Sequence, residues 1–189
     1  MSKPIRLLGL WTEGYAVDIH VIHSEHMGYD QFGHDIYDTT RSDLGELIYK
    51  MKYNGHLDTS EEILEKIITF LNEWLLDKNI DYVIPVPPTV HRASQPVFLI
   101  AEKIANEYDI KYDDTILKKT TSVASKNMGR TQKSMEGTIA KLKKAKTHRN
   151  ILLVDDLYST GSTANECVRV LKEDPYIDNI YFLAITKTR

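Results

Sequence analysis

The stretch from Asn150 to Thr163 limits the possible folds of this chain more than any other part of it. It begins with the apolar run Ile151–Val154, which is the pattern of a short strand buried on both faces of a parallel sheet. Two carboxylates, Asp155 and Asp156, follow that run, and a hydroxyl-rich turn comes next. Apolar residues then recur at helical spacing from Ala164 to Lys172. This order of strand, turn and helix predicts an α/β fold.

The turn in this stretch is expected to bind a phosphate group. Free backbone N–H groups and the positive end of the dipole meet at a helix N-terminus, and both favour an anion. The spacing of Thr163 and Glu166 is that of a capping box, which places the start of the helix here. The phosphate is expected over five consecutive residues: Ser159, Thr160, Gly161, Ser162 and Thr163.

A second buried strand is predicted over Asp81–Val86. It is ended by the proline-rich Pro85–Pro88, because prolines cannot donate to a central ladder. One helix is predicted before this strand in the sequence, from Ser60 to about Asp77, and another after it, from about Pro96 to Tyr108. A last strand at Asn179–Ile185 is expected near an edge of the sheet. The alternation of strands and helices predicts a mostly parallel central sheet flanked by helices.

The N-terminal part is predicted to form a small antiparallel hood. Residues 5–10 and 15–22 have the pattern of two strands joined by a turn, and the second strand alternates between polar and apolar residues. The polar stretch that follows predicts a long loop, or a third short strand near Asp35 to Tyr37. A helix is then expected from Ser42 to near Gly55.

Length and composition suit one domain with an appendage, since the chain has 189 residues and an apolar content of 42%. We expect a hood region over residues 1–58 and a core over residues 59–189, joined in one integrated domain. The formal net charge of -3 predicts neither a nucleic-acid binder nor an acidic tail. No apolar run of about 18 residues occurs, so we expect no membrane span and a cytoplasmic location. Cys167 is the only cysteine, which excludes a disulfide or a cysteine-based zinc site within one chain.

The residues Val154–Thr163, VDDLYSTGST, resemble the phosphoribosyl pyrophosphate (PRPP) signature of the type I phosphoribosyltransferases. In that family the acidic pair holds the ribose hydroxyls and the following turn holds the 5′-phosphate. The resemblance implies that Asp155 and Asp156 are the catalytic residues and that the turn at 159–163 binds the 5′-phosphate. It also implies the family's fold, a mostly parallel sheet with a small antiparallel hood.

The segment Pro85–Gln95, PVPPTVHRASQ, resembles the ComF-like branch of the same family, which is related to a bacterial competence protein. In type I enzymes the loop after this strand contacts the pyrophosphate, which implies that role for Thr89, His91 and Arg92. Arginine suits the task because its guanidinium matches phosphate with two parallel hydrogen bonds. The alternative for this segment is a rigid proline turn with solvent-facing basic residues.

The segment Leu44–Tyr53, LGELIYKMKY, is also similar to a ComF-like segment, one that ends in Leu-Lys-Tyr. Two departures from the ComF-like pattern accompany these matches. This sequence lacks the four-cysteine zinc module that many ComF-like proteins carry at the front, and the loop Thr120–Gly137 differs at most of its expected positions. If that loop closes over the substrate as in the family, its basic residues Lys126, Arg130 and Lys133 are the candidates for contact. The altered loop leaves turnover and substrate identity open.

The resemblance implies an enzyme that transfers ribose 5-phosphate from PRPP to a nitrogenous base or an amine and releases pyrophosphate. Its partners would be PRPP and that acceptor, and exposed sheet edges leave room for a homodimer. Mg²⁺ would be bound mainly by pyrophosphate and ribose oxygens with waters, without a direct protein ligand. The alternative is a binding or regulatory module that keeps the PRPP or nucleotide site without catalysis, for example one linked to DNA uptake.

Two further features leave alternatives open. The basic stretch Lys118–Arg149 predicts a solvated face, a site for an anionic substrate or, least favoured, a nucleic-acid surface. A group of histidines in the N-terminal part is interpreted as surface polar residues in preference to metal ligands: His20, His23, His26 and His34. A response-regulator receiver is disfavoured because only 33 residues follow Asp156, and a nucleotide-binding P-loop because its glycine-lysine motif is absent.

Overall fold

The structure, a computed structural model, describes residues 3–88, 95–120 and 137–189. Over these residues the strands, in chain order, are β1 (Ile5–Arg6), β2 (Glu13–Ile19), β3 (Val21–Tyr29), β4 (Asp35–Arg41), β5 (Tyr82–Pro85), β6 (Lys111–Tyr112), β7 (Leu117–Lys119), β8 (Ile139–Lys141), β9 (Arg149–Tyr158) and β10 (Ile177–Lys187). The helices are α1 (Asp43–Tyr49), α2 (Thr59–Leu75), α3 (Pro96–Glu107) and α4 (Ser162–Lys172). A π-helical turn at Lys50–Asn54 continues α1.

Six of these strands form the central sheet, in the spatial order β1, β2, β10, β9, β5, β6. Every neighbouring pair is parallel except β1 with β2. One face of the sheet packs against α1, α2 and α3, and the other packs against α4. The predicted fold class, a mostly parallel central sheet flanked by helices, is therefore confirmed.

The central strand β9 divides its side chains between two hydrophobic cores. Leu152 and Val154 face the core that contains α1, α2 and α3, whereas Ile151 and Leu153 face the core that contains α4. All four side chains are buried. Because both faces of β9 are covered along its centre, Ile151–Val154 is continuously apolar up to the two carboxylates that follow.

The antiparallel hood consists of β3 and β4, which form a two-stranded sheet of their own. The sequence predicted a different hairpin, with strands at residues 5–10 and 15–22. In the structure β1 pairs with β2 over only two residues, and β2 pairs in parallel with β10 in the central sheet. β2 belongs to the central sheet because Ala16 and Val17 are buried in the cores on its opposite faces. The short strand predicted near Asp35 to Tyr37 is the start of β4.

Strand β10 lies inside the sheet, between β2 and β9, and the prediction that it lies near an edge was wrong. Its residues from Ile180 to Ile185 are all buried. A strand with a neighbour on each side and helices over each face needs an apolar centre of this kind. The pairing of β2 with β10 joins the expected hood region (1–58) to the expected core (59–189), and the division itself stays a prediction.

The helices follow local sequence signals. The Ser42 hydroxyl caps α1 by accepting from the Gly45 N–H at 3.0 Å, as the sequence predicted. The π-helical turn after α1 ends at Gly55, where φ is 72°. Cys167 is buried on α4 among the apolar side chains of the core on that face of the sheet. None of the helices in the described ranges is long and apolar enough to cross a membrane.

Candidate functional site

The carboxyl ends of β5 and β9 lie side by side and open into a cleft. In open α/β sheets this is the place where ligands bind. A cavity of about 210 Å³ lies between Asp155 and Asp156, at the end of β9, and Val86–Pro88, which follows β5. A smaller cavity of about 90 Å³ follows the turn at 159–163. The two cavities share Asp155 and Thr163, so they are neighbouring parts of one candidate site.

A lysine that the sequence analysis did not single out completes the acidic part of this site. Lys52 Nζ lies 2.8 Å from Asp156 Oδ1, and the two side chains are only 15% and 14% exposed. Lys52 belongs to the π-helical turn after α1, and such turns occur frequently at functional sites. The signal in the sequence was the ComF-like segment Leu44–Tyr53. It could not identify the lysine's partner, which lies far along the chain.

The surroundings of Asp155 oppose its ionisation. Burial, followed by the charge of the neighbouring Asp156, raises the pKa of the Asp155 carboxyl above its usual range. The Lys52 ammonium acts in the opposite direction, as do the backbone N–H groups of Asp156 and Leu157. The first of these N–H groups donates to Asp155 Oδ1 at 2.9 Å. A carboxyl group with a strongly shifted pKa in a cleft is typical of a functional site.

The turn at 159–163 brings the N-terminus of α4 to the smaller cavity. Gly161 is the N-cap residue, and its φ of 76° lies in the region that favours glycine. A Cβ at this position would lie 2.6 Å from the Tyr158 hydroxyl oxygen. The hydroxyl oxygens of Thr160 and Ser162 are 2.9 Å apart. The first N–H groups of a helix have no partner within it, so α4 can offer them to an anion in this cavity.

The predicted capping box does not form. Because α4 begins at Ser162 with Gly161 as its N-cap, Glu166 lies too far along the helix to reach back. Its Oε2 accepts instead from Arg169 Nε at 2.8 Å, and its Oε1 accepts from the Gly137 N–H at 2.7 Å. Glu166 thus connects α4 to the chain just before β8.

Thr186 and His20 form a short chain of hydrogen bonds next to the acidic pair. The Thr186 hydroxyl donates to the backbone carbonyl oxygen of Asp156 at 3.0 Å, and it lies 3.0 Å from His20 Nδ1. Burial, together with the positive charges of Lys52 and Arg41, lowers the pKa of His20. His20 is therefore neutral near pH 7 and contributes a hydrogen bond rather than a charge. No motif in the sequence indicated this contact, since it joins the ends of two distant strands.

The structure brings together only some of the residues predicted for the site. Asp155, Asp156 and the turn at 159–163 lie around the two neighbouring cavities. The residues expected to bind pyrophosphate lie outside the described ranges: Thr89, His91 and Arg92. The same is true of the basic loop residues Lys126, Arg130 and Lys133. The roles of all these residues stay predictions.

Two histidines of the hood each contact a different aspartate. His26 Nε2 lies 2.9 Å from Asp35 Oδ1, and His34 Nδ1 lies 3.1 Å from Asp30 Oδ2. Over the described ranges, no three or more histidine, cysteine or acidic side chains are grouped so that they could hold a metal ion.

No family model and no curated protein sequence matches the chain. Solved structures with partial similarity include an adenine phosphoribosyltransferase from Saccharomyces cerevisiae in complex with an imino-altritol bisphosphate and adenine, at 14% identity and a TM-score of 0.49, over 87% of this chain and 84% of that one. Another is an adenine phosphoribosyltransferase from Thermoanaerobacter pseudethanolicus, at 13% identity and a TM-score of 0.45, over 86% of this chain and 94% of that one. A third is a phosphoribosylpyrophosphate synthetase from Mycobacterium smegmatis, at 17% identity and a TM-score of 0.42, over 65% of this chain and 33% of that one. Since none of these TM-scores reaches 0.5, the functional conclusion depends on the residues of the site.

Proposed function

We propose that this protein is a PRPP-dependent phosphoribosyltransferase, which transfers ribose 5-phosphate to a nitrogenous base or an amine and releases pyrophosphate. One observation carries the proposal. The two carboxylates at the end of β9, one of them paired with Lys52, stand directly beside a glycine-capped helix N-terminus. A ligand that bears both a phosphate and a polyhydroxylated sugar fits this arrangement, because one cavity offers N–H donors and the other offers carboxylate acceptors.

The reaction breaks the bond between C1 of the ribose and the pyrophosphate oxygen, and it forms a bond between C1 and a nitrogen of the acceptor. Positive charge develops on the ribose ring as the pyrophosphate leaves with the bonding electrons. Asp155 and Asp156, by accepting hydrogen bonds from the ribose hydroxyls, place negative charge beside that ring. The turn at 159–163 holds the 5′-phosphate and so fixes the position of C1. The acceptor nitrogen loses its proton to solvent or to a neighbouring base.

Lys52 has two effects in this proposal. Its charge lies against Asp156 and reduces the repulsion between the adjacent carboxylates. It also holds Asp156 in one orientation before the substrate arrives, which lowers the cost of organising the site. Removing this lysine should therefore affect sugar binding without changing the phosphate-binding turn.

Mg²⁺ fits this site as an ion carried by the substrate. Pyrophosphate and ribose oxygens with waters would bind the ion, and the carboxylates of Asp155 and Asp156 would hold the ribose hydroxyls beside it. When bound, the ion would neutralise charge on the leaving pyrophosphate. The residues of this chain then have the tasks of orienting the ribose and of keeping the 5′-phosphate in place.

The acceptor is proposed to enter from the side of the hood. A cavity of about 300 Å³ lies there between His20–Ser24, at the start of β3, and Thr188 and Arg189, which follow β10. It adjoins the acidic pair through the contact of His20 with Thr186, whose hydroxyl bonds the Asp156 carbonyl oxygen. This position would bring an acceptor to the ribose from the β10 side of β9.

Finer assignments belong to the proposal as well. The ComF-like relationship is supported by three segments in the expected order, and the site now includes Lys52 from the first of them. We also propose a cytoplasmic location and leave a homodimer as the expected assembly to be measured. Nucleic-acid binding is disfavoured, and a lack of affinity for single-stranded DNA at low salt would agree with that expectation.

The proposed function is tested by calorimetry of PRPP with Mg²⁺, followed by assays of pyrophosphate release with a panel of bases and amines. The expected result is Mg²⁺-dependent binding and release of pyrophosphate with at least one acceptor. The variant with Asp155→Asn and Asp156→Asn together should lose both while keeping its circular dichroism spectrum. Binding without release across the panel would support the alternative, a regulatory or binding module such as one linked to DNA uptake. Failure of the folded wild-type protein to bind PRPP would refute both hypotheses.

A further inference from the structure

A separate cavity of about 290 Å³ lies at the opposite end of the sheet from the candidate active site. It is bounded by the first residues of three parallel strands, Tyr82 in β5, Arg149 in β9 and Ile177 in β10. We call it the amino-end cavity. The six steps of β9 from Arg149 to Asp155 span about 20 Å. A small ligand in this cavity therefore does not touch a substrate bound at the acidic pair.

The floor of the amino-end cavity is apolar. It consists of one aromatic and four aliphatic side chains: Tyr82, Ile116, Ile151, Leu171 and Ile177. The Arg149 guanidinium carbon lies 6.0 Å from the centre of the Tyr82 ring, and Lys111 Nζ lies 5.8 Å from it. Aromatic rings and planar guanidinium groups both stack on flat ring systems. The floor therefore suits the flat or hydrophobic part of a ligand.

The rim of the cavity is mainly cationic, and Asp113 also lines it. The positive side chains are Lys141, Lys143, Lys144, Lys146 and Arg149. Three of these charges are neutralised in the pairs Lys141–Asp174, Lys143–Asp113 and Arg149–Asp81. Lys144 and Lys146 form no ion pair within the part of the chain that the structure describes. Two positive charges without an acidic partner among the described residues therefore stand at the mouth of an apolar cavity, in a protein with a formal net charge of -3.

The shape and charge of the cavity distinguish between three explanations of the basic residues from Lys141 to Arg149, which are the described part of the basic stretch that lines it. A merely solvated face would not converge on an apolar floor. A surface for a nucleic-acid strand would extend as a groove with several stacking rings, whereas Tyr82 is the one aromatic residue among the described residues that line this cavity. Its volume is at the small end of the range for ligand pockets, which suits a molecule of mononucleotide size.

We propose that the amino-end cavity binds a mononucleotide, with its base on the apolar floor and its phosphate at Lys144 and Lys146. The site is distinct from the one proposed for PRPP, and its existence does not depend on the enzymatic function. It shares two elements with that site, because β9 and α4 each contribute residues to both cavities. The mononucleotide would therefore bind to the same domain as PRPP, but at the other end of the sheet.

The experiment titrates adenosine 5′-monophosphate by calorimetry into the full chain that carries Asp155→Asn and Asp156→Asn, so that the candidate active site no longer binds a ribose phosphate. Adenosine and inorganic phosphate are the separate probes, and the variants below are made in the same background. The nucleotide is expected to bind at least about tenfold more tightly than either probe, since it uses both the floor and the rim. Charge reversal by Lys144→Glu with Lys146→Glu should weaken nucleotide binding by at least about tenfold. The matched control is Lys66→Glu with Lys103→Glu, which makes the same change of charge on α2 and α3 and should leave the affinity unchanged.

Several results would overturn the proposal. One is the absence of measurable nucleotide binding by the folded protein, and another is an equal loss of affinity in both pairs of variants. If inorganic phosphate binds as tightly as the nucleotide, the positive rim binds the phosphate and the apolar floor contributes nothing to the affinity. A single-stranded oligonucleotide that binds far more tightly than the mononucleotide would make the surface one for nucleic acid. Each of these results leaves the PRPP assays unaffected, so the two proposals can fail independently.

Discussion

Lys52 Nζ and Asp156 Oδ1 are 2.8 Å apart in a largely buried ion pair, although one residue lies in a π-helical turn after the first helix and the other at the end of a central strand. The pair links the hood side of the molecule to the acidic residues of β9. It stands next to Asp155, whose carboxyl pKa is raised by burial and by the Asp156 charge. The positive charge of Lys52 thus offsets part of the negative charge of the two carboxylates in the candidate site.

Replacing Lys52 by methionine should weaken binding of PRPP with Mg²⁺ by at least about tenfold, which corresponds to about 1.4 kcal/mol. The reason is that Asp156 loses its partner and the two carboxylates repel each other more strongly. Calorimetry at pH 7.5 measures the effect. Lys66→Met is the matched control, because Lys66 pairs with Asp43 at 3.2 Å on the surface and should leave the affinity unchanged. Equal affinities for the wild type and Lys52→Met would contradict the assigned role.

Asp155→Asn should stabilise the folded protein at pH 8 while abolishing PRPP binding. The pKa of Asp155 in the folded state lies above its unfolded value, so ionisation of this group opposes folding. Wild-type stability should therefore fall as pH rises from about 4 through that raised pKa, and the variant lacks this loss. We expect its Tm to exceed that of the wild type by about 3 °C at pH 8, or about 1 kcal/mol for a domain of this size.

The gain in Tm from Asp155→Asn should shrink as the pH approaches 4, where the wild-type carboxyl is protonated in the folded state. Thermal unfolding followed by circular dichroism at several pH values tests this trend. A variant that is less stable than the wild type at pH 8 would show that the carboxylate stabilises the fold. In that case the conclusion that burial and the Asp156 charge oppose ionisation of Asp155 would be wrong.

Gly161→Ala should reduce both stability and phosphate affinity. A φ of 76° costs an alanine about 1–2 kcal/mol, and its Cβ would also meet the Tyr158 hydroxyl. Tyr158 cannot move freely, since its ring packs edge-on against Trp11 at 6.2 Å between centroids. Gly33→Ala is the control, because Gly33 has a φ of 81° in open space. It should lose about 1 kcal/mol of stability and no phosphate affinity.

Asp174→Asn should destabilise the protein by about 2 kcal/mol at pH 7. Asp174 accepts from Lys141 and from the Ala145 N–H, and the Lys141 contact is the main reason that its pKa is lowered to about 2. A lowered carboxyl pKa contributes stability that is present above the unfolded value and is lost as pH falls through about 2. Urea unfolding at pH 7 and pH 3 should show a larger difference at pH 7.

The matched control for this prediction is Asp178→Asn. Asp178 Oδ1 lies 2.7 Å from His148 Nδ1 on the surface, where such a contact contributes about 0.5 kcal/mol or less. If the two substitutions cost the same free energy of unfolding, Asp174 would not have the buried role that its contacts indicate.

The strand, turn and helix around Asp155 could be predicted from the sequence because each depends on neighbouring residues. A continuous apolar run requires a strand covered on both faces, and the order of elements then places the carboxylates at a sheet edge. The capping box was also predicted from neighbouring residues, and that prediction was wrong. Thr163 and Glu166 have the spacing of a capping box, but the helix begins at Ser162, one residue before Thr163. The Glu166 carboxylate accepts a hydrogen bond from Arg169 instead.

The features that the sequence did not predict are contacts between distant residues. The pattern of β2 suggested a hairpin, since an alternating strand is compatible with many partners, and only the folded chain shows that its parallel partner is β10. Lys52 is similar, because nothing near it in the sequence points to Asp156. Local patterns fix the type of an element, whereas its neighbours depend on the packing of the whole chain.

The position of β10 affects how this protein can be made in a cell. Strand β10 separates β1 and β2 from β9, β5 and β6, and the Ile180 N–H donates to a threonine hydroxyl that lies 168 residues earlier. A ribosome must therefore have translated Ile177–Lys187 before β2 can join the sheet. During that interval β2 and β9 each expose an open edge, which favours association with other chains. We therefore expect folding to be slow, and we expect the nascent chain to need chaperone protection until β10 has been made.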